Sequence, residues 1–256
     1  MRKLFIILLL FILAFFGWTY RYELLFKFQY ARLKGLACQE EKADFINDSC
    51  LNKLWAHRVD SKERFNILKN KFAGYETDIV WDSWKRKFLV YHPPLEGKVI
   101  TLDKFLNGVD LNKSMFWLDT RETPASDTAN ILKVLDSLDH HHKIKMNAII
   151  ELYDTTVANY LAAHDYWIAL NIHTEWISKY KAGEWEKFRS TMSPKISFVS
   201  QEDVHVPFLQ KQFPGKDIIT WSISFNNYFN QEHLRQLVQN YRVKVILVNI
   251  KSRHYK

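Results

Sequence analysis

From residue 54 onward the chain alternates short apolar runs with helix-patterned segments, eight times over. The runs cover 54–56, 75–81, 115–118, 147–152, 166–172, 195–199, 217–224 and 244–250. They are short and rich in Val, Ile, Trp and Phe, which marks strands rather than buried helices. A ninth run, 88–91, pairs with 75–81 or extends its face. Between them lie segments with helical spacing at 61–72, 101–107, 126–138, 155–163, 177–192, 208–211 and 231–241. The segment 126–138 shows it most plainly, with Ile131, Leu132, Leu135 and Leu138 on one stripe. Strands separated by helices cannot pair as hairpins, so the sheet must be parallel. Eight such units over about 200 residues predict an α/β fold, a (β/α)8 TIM barrel near the small end of its size range. An open doubly wound sheet is the other arrangement. Its Gly-rich nucleotide fingerprints, G-x-G-x-x-G and G-x-x-x-x-G-K-[ST], do not occur in the sequence.

Ahead of the barrel, residues 4–20 carry no charge and follow Arg2 and Lys3. That length suffices for a transmembrane helix, and the leading positive charges favour a cytoplasmic N-terminus. No small-x-small cleavage site follows, so a signal anchor over 1–22 is expected over a cleaved signal peptide. The domain would then lie outside the cytoplasm, in a periplasmic, lumenal or extracellular space. Residues 23–53 form a neck holding Cys38 and Cys50, the only cysteines. A disulfide between them would close a short loop and suit that oxidising location. The barrel occupies 54–256.

The formal net charge is +8. It favours anionic partners such as phosphate esters or lipid headgroups. The Lys and Arg residues are dispersed and do not interleave with aromatics in a known module, so nucleic acid is not an expected partner. The run His140-His141-His142 reads as a solvated helix end.

The polar residues at strand ends carry the chemistry. His57 and Arg58 close the first run. Glu76 and Asp78, two apart on a strand, point to one face. Asp119 ends the next barrel strand and can approach the same point. Three carboxylates suit a hard cation, Mg²⁺ or Ca²⁺, because such ions take oxygen ligands. Zinc fits less well, since no thiolate is at hand and no His pair has ligand spacing. His57 and His92 can carry protons near neutral pH. Arg58 and Arg121 offer planar donor forks to phosphate oxygens. Together these parts make a phosphoryl-transfer site.

These residues resemble the glycerophosphodiester phosphodiesterase family, among the phospholipase-C-like phosphodiesterase barrels. That family opens its barrel with His-Arg, follows with Glu-x-Asp after a glycine, and places a second His after one more short strand. Here the order is His57-Arg58, Gly74-Tyr75-Glu76-Thr77-Asp78 and His92. Asp119-Thr120-Arg121 stands where the family has Glu-x-Lys, and Trp221-Ser222-Ile223-Ser224 is similar to its Trp-Thr-Val-Asn strand. The resemblance runs from about residue 54 to 251. Val59-Asp60-Ser61 after His-Arg is similar to a menorin-like branch of these barrels. The family implies that Glu76, Asp78 and Asp119 bind one divalent cation, with His57 and His92 as acid/base pair and Arg58 on the phosphate. It implies Trp221 as a wall of the substrate pocket. Glu151, ending the fourth strand, is a further candidate for the mouth, the alternative being a structural ion pair. The chain departs from the family at Pro93, where Asp is usual, in lacking the Pro-Glu-Asn-Thr segment, and in the shorter Asp119. The expected function is hydrolysis of glycerophosphodiesters or related phospholipid-derived diesters at a membrane. The alternative is a catalytically inactive barrel that binds an anionic lipid or a protein partner.

Overall fold

The computed structural model describes Arg21, Lys27 and residues 52–94, 99–121, 123–221 and 231–249. Strand β1 (Leu54–Ala56) leads to helix α1 (Lys62–Leu68), then β2 (Gly74–Asp82). An antiparallel extension follows, β3 (Lys87–Val90) and β4 (Ile100–Thr101), with α2 (Leu102–Leu106). The series continues through β5 (Met115–Arg121), α3 (Thr128–His142), α4 (Ile144–Asn147), β6 (Ala148–Leu152), α5 (Thr155–Ala163) and β7 (Trp167–Asn171). It finishes with α6 (Thr174–Lys179), α7 (Ala182–Thr191), β8 (Phe198–Glu202), α8 (Val206–Gln212), β9 (Asp217–Trp221), α9 (Gln231–Gln239) and β10 (Val243–Val248).

The strands pair in the order β1-β10-β9-β8-β7-β6-β5-β2, and β1 also pairs with β2. Eight parallel strands therefore close into a barrel, as the alternation of runs predicts. The run at 88–91 is not a barrel strand. As β3 it folds back antiparallel on β2, with Asp82 opposite Lys87. Parallel strands covered by helices are buried on both faces, so β2 and β6 are buried nearly throughout. The outer core holds Leu135, Leu161, Ile168 and Leu209 between strands and helices.

A second cluster fills the barrel interior: Trp55, Trp117, Ile149, Ala169, Ile219, Val245 and Leu247. They come from six strands, Val245 and Leu247 both from β10, and point inward by the period of two. Gly74 belongs to this layer. A Cβ there would lie 2.2 Å from the Trp55 indole, so the aromatic ring requires the glycine. The next inward position up each strand carries the polar residues discussed below.

Two sequence expectations shift. The segment 177–192 is two helices, broken at Tyr180 and Lys181. The sixth barrel strand begins at Phe198, three residues later than the expected 195. The expected anchor over 1–22 and the Cys38–Cys50 pair lie outside the described residues. Among the described residues no helix is long and apolar enough to cross a membrane.

Candidate active site

The site forms where inward-facing residues reach the C-terminal mouth of the barrel. On β2, Glu76 and Asp78 both face inward and are about 1% exposed. Asp78 stands directly opposite Asp119 on β5, and Asp119 opposite Glu151 on β6. Oxygens of Glu76, Asp78 and Asp119 all lie within 4.8 Å of one another.

The segment 57–60 is strapped across the top of β2. The His57 N–H bonds to the Val248 carbonyl at 3.1 Å, which joins β1 to the last strand. The Arg58 N–H donates to Glu76 Oε2 at 2.5 Å, and the Val59 N–H to the Glu76 carbonyl at 2.8 Å. Arg58 adopts a left-handed φ of 58°, a strained conformation for a residue with a side chain. Asp60 accepts the Asp78 N–H at 2.9 Å. Ser61 caps α1 by accepting the Arg64 N–H at 3.1 Å.

His57 is half-buried. Its Nδ1 meets Asn249 Oδ1 at 2.5 Å, and its Nε2 lies 3.6 Å from Glu76 Oε2. Burial pushes its pKa down to about 4, against the Asn249 contact, which favours the charged form. His92 arrives by way of the hairpin. β3 runs back along β2, and the Tyr91 N–H bonds to the Asp78 carbonyl at 3.2 Å, which returns His92 to the level of the acids. Its charge bears on both His57 and Asp78.

The acids are held in a strained electrostatic state. Burial first, and then Asp78, Asp60 and Asp119, raise Glu76 well above the usual carboxylate range. Asp119 is raised by burial and by Glu151, with Arg121 opposing. Asp78 is raised by burial despite Arg121 and His92. Asp60 is pushed up to about 7 by burial and Asp78. Arg121 bridges two of the acids, with Nη2 2.6 Å from Asp119 Oδ2 and 3.3 Å from Asp78 Oδ1. Burial works against the Arg121 charge, but Asp119 and Asp78 help hold its pKa above the ordinary value. Tyr153 donates to Asp119 Oδ1 at 3.2 Å, and the guanidinium lies 5.6 Å from its ring centre.

Glu76 Oε1 and Asp78 Oδ2 are buried and accept no hydrogen bond. Buried carboxylate oxygens without donors are costly, and a cation is the partner that satisfies several at once. Three clustered acids with two open oxygens therefore fit a hard divalent ion.

Each expected site residue can be placed. Glu76, Asp78, Asp119, His57 and Arg58 converge, and His92 joins them through the hairpin. Arg121 is at the site, but its fork is engaged by carboxylates rather than left open to substrate. Glu151 departs from its expected place in the substrate pocket. It is 1% exposed and accepts from Trp117 Nε1 at 2.9 Å, from Asn171 Nδ2 at 2.8 Å and from Ser200 Oγ. Both of its oxygens are used, so it braces the wall beside Asp119. Trp221 closes β9 half-buried, its ring edge-on to Trp117 at 6.3 Å. His142 pairs with Asp103 at 2.9 Å at the C-terminal end of α3, which leads to the start of β6, the end of the barrel opposite the mouth, and His140 and His141 are exposed, in keeping with the solvated helix end.

Sequence reasoning missed Asp60, Tyr153 and Asn249. The last two were within reach: Tyr153 is two residues past Glu151, and Asn249 lies inside the final run, 244–250. Their inward parity is the signal that would have found them.

No protein-family model and no curated protein matches the chain. Solved structures do. A candidate glycerophosphoryl diester phosphodiesterase of Silicibacter pomeroyi superposes with a TM-score of 0.58 at 11% identity, covering 87% of this chain and 95% of that one. The chain has the fold of the glycerophosphodiester phosphodiesterases. A glycerophosphodiester phosphodiesterase of Parabacteroides distasonis gives a TM-score of 0.54 at 10% identity, over 78% and 93% of the two chains. A phosphodiesterase of Oleispira antarctica, solved with the product sn-glycerol-3-phosphate, gives 0.54 at 9% identity, over 78% and 94%.

Proposed function

We propose that this protein is a divalent-cation-dependent phosphodiesterase that hydrolyses glycerophosphodiesters or related phospholipid-derived diesters. Residues 1–22 anchor it in a membrane, and the barrel lies outside the cytoplasm. The observation that carries the reading is the pair of donor-free buried oxygens on Glu76 and Asp78, beside Asp119 and His57. The fold shared with solved glycerophosphodiester phosphodiesterases supports the same reading.

Glu76, Asp78 and Asp119 would hold Mg²⁺ or Ca²⁺, which polarises the phosphoryl oxygens and offsets their charge. Arg58 faces the phosphate from the strap above β2. His57 is the base. Its Nδ1 proton is held by Asn249, and burial keeps the ring uncharged at neutral pH, so Nε2 is open to take the proton of the attacking hydroxyl. That hydroxyl belongs to water or to the substrate itself. His92 gives a proton to the departing alcohol from the hairpin side. Trp221 walls the pocket on β9.

The test is release of glycerol phosphate from glycerophosphocholine and glycerophosphoethanolamine by the full chain, with and without Mg²⁺ or Ca²⁺. We expect hydrolysis that requires the cation and falls at least about 100-fold in His57→Ala and in Glu76→Ala. Equal rates in all three proteins would sink the site assignment. Arg121 favours one second reading, because it already neutralises two of the acids without a metal. In that reading the barrel binds an anionic lipid or protein partner and does no chemistry. Titration calorimetry that finds no uptake of either cation would favour it.

A further inference from the structure

The β2–β3 hairpin is longer than the barrel requires. β2 continues four residues past Asp78, about 13 Å beyond the acids at the strand rise. Its tip therefore stands clear of the barrel on the same side as the mouth. The tip sequence is Ser83-Trp84-Lys85-Arg86-Lys87, and all five residues are exposed. Trp84 is 94% exposed, more than any other large apolar side chain among the described residues. A tryptophan is seldom presented whole to water, because its burial is worth so much.

Three cations follow it in the turn. Lys85 lies 3.3 Å from Asp82, and the charge of Arg86 bears on Asp127. Lys87 makes no ion pair among the described residues. Behind the tip runs a groove of about 530 Å³ lined by Leu89, Tyr91, Val99 and Ile100, with Lys85, Lys87 and Lys104 along its sides. Leu89 and Tyr91 share one face of the β3 segment, opposite the buried Phe88 and Val90. The same segment then delivers His92 to the acids.

We infer that this hairpin is a docking surface for an anionic phospholipid bilayer, with Trp84 seated at the headgroup level and the basic side chains on lipid phosphates. An exposed tryptophan beside clustered cations is the chemistry of an interface that is apolar on one side and negatively charged on the other. A folded protein partner would more readily pair with a flat apolar patch than with a lone ring ringed by charge. Docked this way, the barrel turns its mouth toward the bilayer, and the diesters it meets are those carried in or released from that surface. Docking stands on the hairpin alone. The statement about diesters rests on the phosphodiesterase reading.

The test is hydrogen exchange on the full chain in lipid nanodiscs, either phosphatidylcholine alone or phosphatidylcholine with about 30% phosphatidylglycerol, a composition set to give a strong negative surface. We expect protection of peptides covering 82–90 in the anionic discs only. It should be lost in Trp84→Ala and in the double variant Lys85→Glu, Lys87→Glu, and retained in Tyr241→Ala. Tyr241 is 78% exposed but precedes β10 at the opposite end of the barrel. Hydrolysis of soluble glycerophosphocholine should be unchanged in all three variants. Equal uptake in both discs overturns the inference, as does protection by single-stranded DNA in place of anionic lipid. If the chain hydrolyses nothing while the hairpin is protected, docking stands and the enzymatic reading fails.

Discussion

Two layers of the barrel interior sit one inward position apart on the same strands, and they solve opposite problems. The lower layer is Trp55, Trp117, Ile149, Ala169, Ile219, Val245 and Leu247, an apolar plug. The upper layer is His57, Glu76, Asp119, Glu151 and Asn249, with Asp78 the next inward position beyond Glu76 on β2. Backbone geometry is the same in both, so the difference lies in the side chains alone. The plug gains from burial. The acids lose from it, since each is raised by desolvation and most by one another. Only a rigid layer below can hold like charges so close above, a division between support and strain expected at active sites.

The largest effect should come from breaking the support. Trp117→Ala removes the centre of the plug and the donor to Glu151. We expect a loss of about 3–5 kcal/mol in chemical denaturation. A loss under about 1 kcal/mol would mean the plug does not bear the upper layer.

Glu76→Gln sharpens the contrast from above. It keeps the size of the side chain and an oxygen for the Arg58 N–H while removing one like charge. Without cation the variant should gain about 1–2 kcal/mol of stability. With Mg²⁺ or Ca²⁺ at about 100 times Kd, the wild type should gain about 2.7 kcal/mol and the variant much less. Thermal shifts with and without the ion check both statements, and equal shifts in the two proteins would refute the cation site.

A separate effect is in pH. His57 titrates near 6.5 when unfolded, and burial lowers it to about 4 in the folded protein. Between those values the unfolded chain takes up a proton that the folded one refuses, so this group's contribution to stability is lost as pH falls from about 6.5 to 4. Denaturation midpoints at pH 7 and pH 4.5 should therefore fall less in His57→Gln than in wild type. Equal falls would mean that burial does not hold the ring neutral.

The barrel was legible because each parallel strand is buried on both faces and so reads as an apolar run. Where a strand end is polar inside, that signal fails. β8 ends in Ser200, Gln201 and Glu202, the first two buried, so its register was read three residues early from Ile196. Ile196 is buried too, but in a turn back to Ser193. The site was legible in its motif residues, Glu76, Asp78, Asp119 and His57. Asp60 was not, because its place is set by a bond to an amide eighteen residues away rather than by its neighbours. The bracing role of Glu151 was not legible for the same reason, since its three donors come from three other strands.

The barrel begins at its closed end. Leu54 enters β1 at the face opposite the mouth, so a tether attached before it leaves from the far side. Residues 23–53, the neck of the proposed anchor, could span at most about 100 Å if fully extended, while β2 is about 30 Å long at the strand rise. On the proposed anchor, a leash of up to that reach would let the barrel turn either end toward the bilayer. The choice of which end would then fall to Trp84 and its lysines, and shortening the leash should hold a mouth-down barrel away from that surface.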